Sequence, residues 1–399
     1  MSERSERIAH PVNGRPAGAT RRPASGRLFL VAIAAVGMFL ASLAWPTAPA
    51  RAGGPPPPEF CNAIGGSFAT GSCGGPVTNS SQGISGSAQR QIEQRLQELR
   101  CKNDPSCQAA GGASADSVDY SGFSVFVSGD YEHKDKQLTS FETGYDSNSF
   151  GPQIGIDYRL GTSGVIGAAF DYTRTDGDYD NNYGHFNDDD IALFLYGSYF
   201  PSDQSFIDGS IGFGHKQHDV EHVDPIAGTN VAKADPSSFE FSADLSGGYD
   251  FSFGAFTIGP RAGLHLKHSD QEGFTETGTA ANLFSYGSQE KDSLTSTIGF
   301  QASYAISTSF GVIVPSVNAD YVHEFINGRE TYTASSPGVF GGAGFNFKSD
   351  EPDPNYLNVG AGLVFVLPDG VSPFLSYQAE LANSLEETHT VTGGVRVEF

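Results

Sequence analysis

Residues 387–399, ETHTVTGGVRVEF, end the chain on a strictly alternating run. Successive side chains of a β-strand point to opposite faces, so the run predicts a strand with one apolar and one polar face. The apolar parity consists of Val391, Gly393, Val395, Val397 and Phe399. The alternation alone leaves open whether that apolar face meets a protein core or lipid.

The composition narrows the class of protein. The formal charge of −23 and the pI of about 4.6 argue against nucleic acid as a partner. Glycine is abundant at 50 residues, and nearly all the aromatic residues are Phe or Tyr. These features predict many strands and turns and few helices.

The first 52 residues have the features of a cleaved export signal. Arg21, Arg22 and Arg27 precede an apolar run over residues 28–45, and Ala50-Arg51-Ala52 provides an A-x-A cleavage site. A membrane anchor is the alternative, because the apolar run is of borderline length for a span. We expect residues 1–52 to be removed on export.

A short region separates this signal from the rest of the chain. Residues 53–86 are rich in Pro, Gly and Ser, and residues 87–117 comprise a helix and a linker. The helix is predicted over 87–102 from the stripe Ile92, Leu96 and Leu99. An even number of cysteines in an exported chain predicts disulfides, here Cys61–Cys73 and Cys101–Cys107 as the preferred pairing. A zinc site is the alternative, although the spacings match no common zinc motif.

From residue 118 to 399 the sequence alternates in about twelve segments, each with one apolar parity. Tyrosines on that parity lie mostly towards segment ends, where the aromatic girdles of a membrane barrel belong. A soluble β-sandwich also alternates. The connections favour the barrel, because short turns alternate with long polar loops at 132–148, 173–188, 215–236, 268–291 and 323–354. We therefore predict an all-β, antiparallel up-and-down transmembrane barrel of about twelve strands, with the short turns in the periplasm.

The last 42 residues, 358–399, resemble the β-domain of autotransporters. The shared motifs are G-x-G-L, the L-P-x-G-x-S-P-F turn, Y-x-x-x-L and the terminal G-x-R-x-x-F. The resemblance implies type V secretion: a twelve-stranded barrel in a Gram-negative outer membrane, a helix threading its lumen, and export or display of an N-terminal passenger. Here residues 53–86 would be a short passenger that carries a disulfide.

The resemblance also implies partners. The terminal strand is similar to the signal that the barrel-assembly machinery reads, which would use Val391, Val395, Val397 and Phe399. Periplasmic chaperones, outer-membrane lipid and lipopolysaccharide are the other expected partners, and outer loops are expected at the cell surface. No cofactor is expected.

The polar parity of the strands predicts a charged lumen. It includes Asp157, Arg159, Glu240, Asp244, Arg261, Glu380 and Arg396. Arg90, Arg95 and Arg100 of the helix would face the acidic members, because opposite charges attract more strongly in a partly dehydrated lumen than at an open surface. The alternative is that the helix packs in a small domain outside the barrel, through its apolar stripe.

Two loops could carry chemistry. Residues 176–190 resemble a calcium loop but lack its glycine and its bidentate glutamate. His215, His218 and His222 stand near Asp219 and Glu221, an arrangement that could bind a metal or activate water. In both cases we favour an exposed outer loop, and we assign no catalytic residue or metal ligand. Three hypotheses follow: a translocator of its own N-terminal segment, a passive channel or structural barrel, and a hydrolase with its site at the rim.

Overall fold

The computed structural model describes residues 86–101, 122–139, 141–223, 231–280, 283–337 and 342–399, all within one compact unit, Ala52–Phe399. The predicted export signal, the Pro/Gly/Ser-rich segment and Cys61, Cys73 and Cys107 lie outside the described residues, as do the side chains of Arg100 and Cys101. The predicted disulfides and the cleavage site therefore stay predictions.

One helix and twelve long strands form the framework of the described residues. Helix α1 spans Gly86–Cys101. The strands are β1 Phe123–Lys136, β2 Tyr145–Leu160, β3 Gly164–Tyr179, β4 Gly184–Ser202, β5 Ser205–Val223, β6 Ser237–Tyr249, β7 Phe256–Gln271, β8 Gln289–Tyr304, β9 Gly311–Glu324, β10 Asn355–Val366, β11 Val371–Leu381 and β12 Glu386–Glu398. Among the described residues, no helix combines the length and the hydropathy that a membrane span requires.

The remaining elements are short. Two strands extend barrel hairpins, Phe251–Phe253 and Ile306–Thr308, while Val231–Ala234 and Thr277–Gly278 add to the edge of β5. A separate four-stranded sheet consists of Phe274–Thr275, Ser285–Tyr286, Thr331–Ser335 and Phe345–Lys348. The part of the chain that the structure describes also contains two 3₁₀ turns, Asp180–Asn182 and Pro368–Gly370.

The twelve long strands close into a barrel. Each pairs antiparallel with the next along the chain, and β12 pairs with β1, with Val395 opposite Val127 and Val391 opposite Tyr131. Closure pairs the backbone of every strand on both sides, which is what a strand needs where no water can bond it. The predicted closed twelve-stranded antiparallel barrel is confirmed.

The two faces of the wall differ as the alternation predicted. Phe399 is 58% exposed, whereas its near neighbour Arg396 is 6% exposed. Exposed tyrosines lie near both ends of the wall, among them Tyr131 and Tyr377 at one end and Tyr199 and Tyr304 at the other. A continuous exposed apolar face of this kind is typical of a surface that meets lipid.

The barrel has two distinct ends. We call one the turn end, because its connections are the short ones, 161–163, 203–204, 250–255, 305–310 and 367–370. The other, the loop end, carries the connections 137–144, 180–183, 224–236, 272–288, 325–354 and 382–385. Both Phe123 and Phe399 lie at the turn end, where the Phe399 amide donates to the Phe123 carbonyl at 3.0 Å.

Several predicted loops are strand instead. β3 and β4 occupy 173–179 and 184–188 of one predicted loop, and β5 occupies 215–223 of the next. The calcium-like stretch 176–190 is thus mainly the ends of β3 and β4 around the turn Asp180–Asn182. Beyond the apolar belt the outward positions of these strands are polar, so the apolar alternation that marks a strand in the sequence ends before the strand does.

Candidate functional site

Helix α1 lies inside the barrel. Its side chains bond to inward-facing residues of strands on several sides of the lumen: Gln89 to Asp244 of β6, Arg90 to Glu132 of β1 and Thr390 of β12, and Arg95 to Asp157 of β2 and Ser124 of β1. The helix is therefore a lumen plug, and the alternative of a separate small domain is wrong. The partners of Arg90 lie nearer the loop end than those of Arg95, so the N-terminus of the helix points to the loop end.

The apolar side of the helix is fixed to one half of the wall. Ile92 is fully buried and Leu96 nearly so, and both pack against the inner faces of β1–β5. The wall contributes Phe126, Val165, Ala169, Ala192, Phe194, Tyr196, Phe200 and Phe206 to this cluster. The sequence interpretation missed these residues, because it took the inward parity to be polar or small in most strands.

Glycines make room for the inward-facing rings. Each of four aromatic residues lies in register with a glycine on the neighbouring strand: Phe126 with Gly155, Tyr196 with Gly167, Phe194 with Gly212, and Phe206 with Gly248. A Cβ on Gly167 would lie 2.3 Å from Cζ of Tyr196, so the ring occupies the space of the missing side chain. This pairing of ring with glycine allows bulky residues within a narrow lumen.

A buried ion pair anchors the helix near the turn end. The Arg95 guanidinium donates from Nε and Nη2 to Oδ2 of Asp157, at 2.9 and 2.5 Å, and from Nη2 to Ser124 Oγ at 2.9 Å. The Ser124 hydroxyl in turn donates to Asp157, and the guanidinium lies 5.3 Å from the centre of the Phe126 ring. Both side chains of the pair are at most 3% exposed, so each charge depends on the other.

Uncharged side chains of the helix add further bonds. Gln91 donates to Asp130 and, at 3.2 Å, to the Gly151 carbonyl, and it accepts from Ser128 at 2.5 Å. Gln153 of β2 donates to the Ala88 carbonyl of the helix at 3.3 Å. The buried polar surface of the helix is thus bonded to β1 and β2 on the loop-end side of the ion pair as well.

The predicted charged residues of the lumen have different partners. Asp157 pairs with Arg95, and Asp244 bonds to Gln89 and His265. Glu240, Arg261, Glu380 and Arg396 instead bond to residues outside the helix, which are Lys216, Asp320, Asn383 and Ser372 respectively. Arg159 is half-buried near the turn end. Glu132, the partner of Arg90, was missed because it fell in a predicted loop.

A cavity separates the helix from the other half of the wall. It has a volume of about 410 Å³, and its lining includes helix residues and residues of all twelve long strands, with the larger share from β7 to β12. Examples of the lining are Arg261, His265, Thr297, Asn318 and Glu380. The helix is thus packed against β1–β5 and faces an open polar space towards β7–β12.

The histidine stretch of β5 corrects an expectation. His218 and His222 point inward and are buried, and they pair with Asp188 and Glu276. Asp219 and Glu221 alternate with them and so belong to the opposite face. The interpretation as exposed loop histidines is therefore wrong for these two, and His218 and Asp219 do not form a pair that could activate water.

The loop end is held by aromatic and ionic contacts. Tyr145, Tyr179, Phe186, Phe284, Tyr286 and Tyr332 belong to one buried cluster. Lys136 contacts Glu142 at 2.8 Å and Asp350 at 3.3 Å, which joins the β1–β2 connection to the long loop 325–354. Burial, together with the neighbouring Glu142 carboxylate, raises the pKa of Asp350 above its ordinary value.

Comparison with known proteins adds relatives of this fold. A family model described as the autotransporter beta-domain matches residues 125–378. Outer membrane protein B of Rickettsia japonica is 25% identical over 278 residues, which are 65% of this chain and 17% of the relative. The chain thus spans less than a fifth of that relative.

Two solved structures resemble the barrel. The translocator domain of autotransporter NalP from Neisseria meningitidis has a TM-score of 0.58 at 15% identity, over 80% of this chain and 100% of that one. The beta domain of the Bordetella autotransporter BrkA has a TM-score of 0.53 at 16% identity, over 70% and 100% of the two chains. At these identities the likeness shows the fold.

Proposed function

The chain belongs to the autotransporter β-domain family of Gram-negative outer membranes, and from that premise we propose that it carries its own short N-terminal segment to the cell surface. The orientation of α1 carries this proposal. Its N-terminus, Gly86, points to the loop end, which is the mouth through which an exported N-terminal segment would have to pass. With the short turns in the periplasm, the loop end is the cell surface.

Accessibility on intact cells tests the proposal. An epitope tag inserted after residue 53 should be removed by protease added outside the cell. A tag at Gly328, on the connection 325–354, should be removed as well, whereas one in the turn 203–204 should be protected. Protection of the tag after residue 53, with the Gly328 tag still cleaved, would show that the segment is not exported.

A passive channel is the second candidate, and the cavity beside the helix favours it. The polar lining along β7–β12 offers ions a path, and α1 is the element that narrows it. Deleting residues 86–101 should raise the single-channel conductance of the purified barrel in planar bilayers several-fold, because the lumen loses its plug. Deleting residues 53–85 instead should leave the conductance at the level of the intact chain.

The two candidates make different predictions for the intact chain. A channel should conduct steadily with α1 in place, whereas a translocator sealed by its helix should conduct only in brief events. High steady conductance of the intact chain, with a protected tag after residue 53, would favour the channel. The rim hydrolase is not carried forward, because its His218 and Asp219 lie on opposite faces.

We extend the proposal to assembly. Val391, Val395 and Phe399 are exposed on the outer face of β12, and Val397 is half-buried there. This leaves the apolar parity of the terminal strand available to the assembly machinery before lipid covers it. Lipopolysaccharide is the partner proposed for the loop end.

A further inference from the structure

We propose that Glu93, Asp244 and His265 form a binding site for a divalent transition-metal ion, of which Zn²⁺ is the type. The three residues come from α1, β6 and β7, and their ligand atoms all lie within 4.8 Å of one another. A bound ion would join the helix to the half of the wall that its apolar side does not contact. The sequence alone assigned no metal ligand here, since the residues meet only when the helix enters the lumen.

The distances suit a small ion. His265 Nδ1 lies 3.5 Å from Glu93 Oε1 and 2.8 Å from Asp244 Oδ1. Ligand atoms at ~2.0 to 2.2 Å around one tetrahedral zinc ion are separated by about 3.3 to 3.6 Å, so small side-chain rotations suffice. One imidazole nitrogen and two carboxylates form a donor set that Zn²⁺ accepts.

A hydrogen bond at Nε2, the nitrogen that faces away from the site, can fix the tautomer of His265. Its Nε2 lies 3.2 Å from Thr297 Oγ1, which can accept a hydrogen bond from that nitrogen. When Nε2 carries the hydrogen, the lone pair of Nδ1 points to Glu93 and Asp244. Such a hydrogen bond to the second ring nitrogen accompanies most histidine ligands of metals.

Gln89 supplies an independent observation. It precedes Glu93 by one helical turn, is 4% exposed, and donates from Nε2 to Asp244. Its Oε1 has no hydrogen-bond partner among the residues that the structure describes. Rotation of the amide exchanges the two atoms, so the buried oxygen can turn to the site and bind an ion there.

A metal ion can reach the site through the lumen cavity, although a nearby lysine opposes its binding. Gln89, Glu93 and His265 line the lumen cavity, so an ion and its remaining water ligands can reach them. Arg261 is neutralised by Asp320, but Lys267 brings positive charge to the same face of β7. We therefore expect weaker binding than in a closed structural zinc site, and tighter binding in the Lys267→Gln variant.

Metal titration of the full-length chain in detergent tests the proposal. After removal of metal by EDTA, isothermal titration with Zn²⁺ should show one more saturable equivalent in the wild type than in His265→Ala. Glu93→Gln should weaken this site by about tenfold or more. His268→Ala is the matched control, because His268 is on the same strand but pairs with Asp292, and it should bind as the wild type does.

A loss of Zn²⁺ binding can be distinguished from a failure of the variant to fold. Heat-dependent gel mobility reports whether each variant forms the barrel, and Glu93→Gln, whose side chain is 44% exposed on the helix, should not disturb it. The proposal is overturned if folded Glu93→Gln and His265→Ala bind Zn²⁺ with the stoichiometry and affinity of the wild type. It is equally overturned if His268→Ala loses the same equivalent.

Discussion

Replacing Arg95 with methionine should loosen helix α1 from the lumen more than any other single change in the helix. The apolar stem remains, but Asp157 keeps a negative charge that is buried and has lost its cation. Breaking a buried pair from one side typically costs about 3 to 5 kcal/mol. Such a loss raises the population of detached helix about a hundredfold or more. Hydrogen exchange of the α1 amides, measured by mass spectrometry, should accelerate accordingly.

Two further variants make the result specific. Arg95→Met/Asp157→Asn removes both charges and should recover much of the protection, because the amide introduced at position 157 can still bond to Ser124. Arg90→Met removes a pair whose arginine is 26% exposed, so its effect should be clearly smaller. Equal acceleration in Arg90→Met and Arg95→Met would contradict the assignment of Arg95 as the main anchor.

Gly167→Val should have the second largest effect, on the barrel itself. The three heavy atoms nearest to a Cβ at this position all belong to Tyr196, at 2.3 to 2.6 Å. To relieve the clash with the introduced valine, the Tyr196 ring must leave its place in the cluster around Ile92 and Leu96. We expect a cost at or above the upper end of the ~1 to 3 kcal/mol that overpacking typically brings. The midpoint temperature of heat-dependent gel mobility should fall.

The matched control is on the other face of a nearby strand. Gly209 lies on the outward parity of β5, and the nearest atom to its Cβ would be 3.6 Å away, so Gly209→Val should leave the midpoint nearly unchanged. Gly167→Val/Tyr196→Ala should recover part of the loss, because the smaller side chain leaves room for valine. If the double variant is no better than Gly167→Val, the ring is not the cause.

The outer face and the charged character of the lumen were predictable from sequence, whereas the packing inside the lumen was not. Outward positions within the membrane face lipid and must be apolar. Residues such as Val395 and Phe399 therefore show the alternation within a single strand. Inside the lumen, one side of the helix needs apolar packing partners and the other side faces a polar cavity. The pairing of Tyr196 with Gly167 depends in addition on strand register. Register between neighbouring strands cannot be read from one strand's alternation.

The helix itself shows the same limit. Its apolar stripe and its arginines were both visible in the sequence, and they suggested opposite locations. The structure satisfies both, with Ile92 and Leu96 against inward-facing rings and Arg95 against Asp157. Because the sequence alone does not predict rings inside a charged lumen, the stripe by itself favours packing outside it.

The one-sided packing of α1 has a consequence for the order of assembly. The helix contacts β1–β5, the strands that follow it directly along the chain, while the ring is completed only when the last strand meets the first. Contacts of short sequence separation form at a lower entropic cost than that final junction. We therefore expect the helix to pack against β1–β5 first and to be enclosed when β12 pairs with β1. It is not expected to enter a barrel that has already closed.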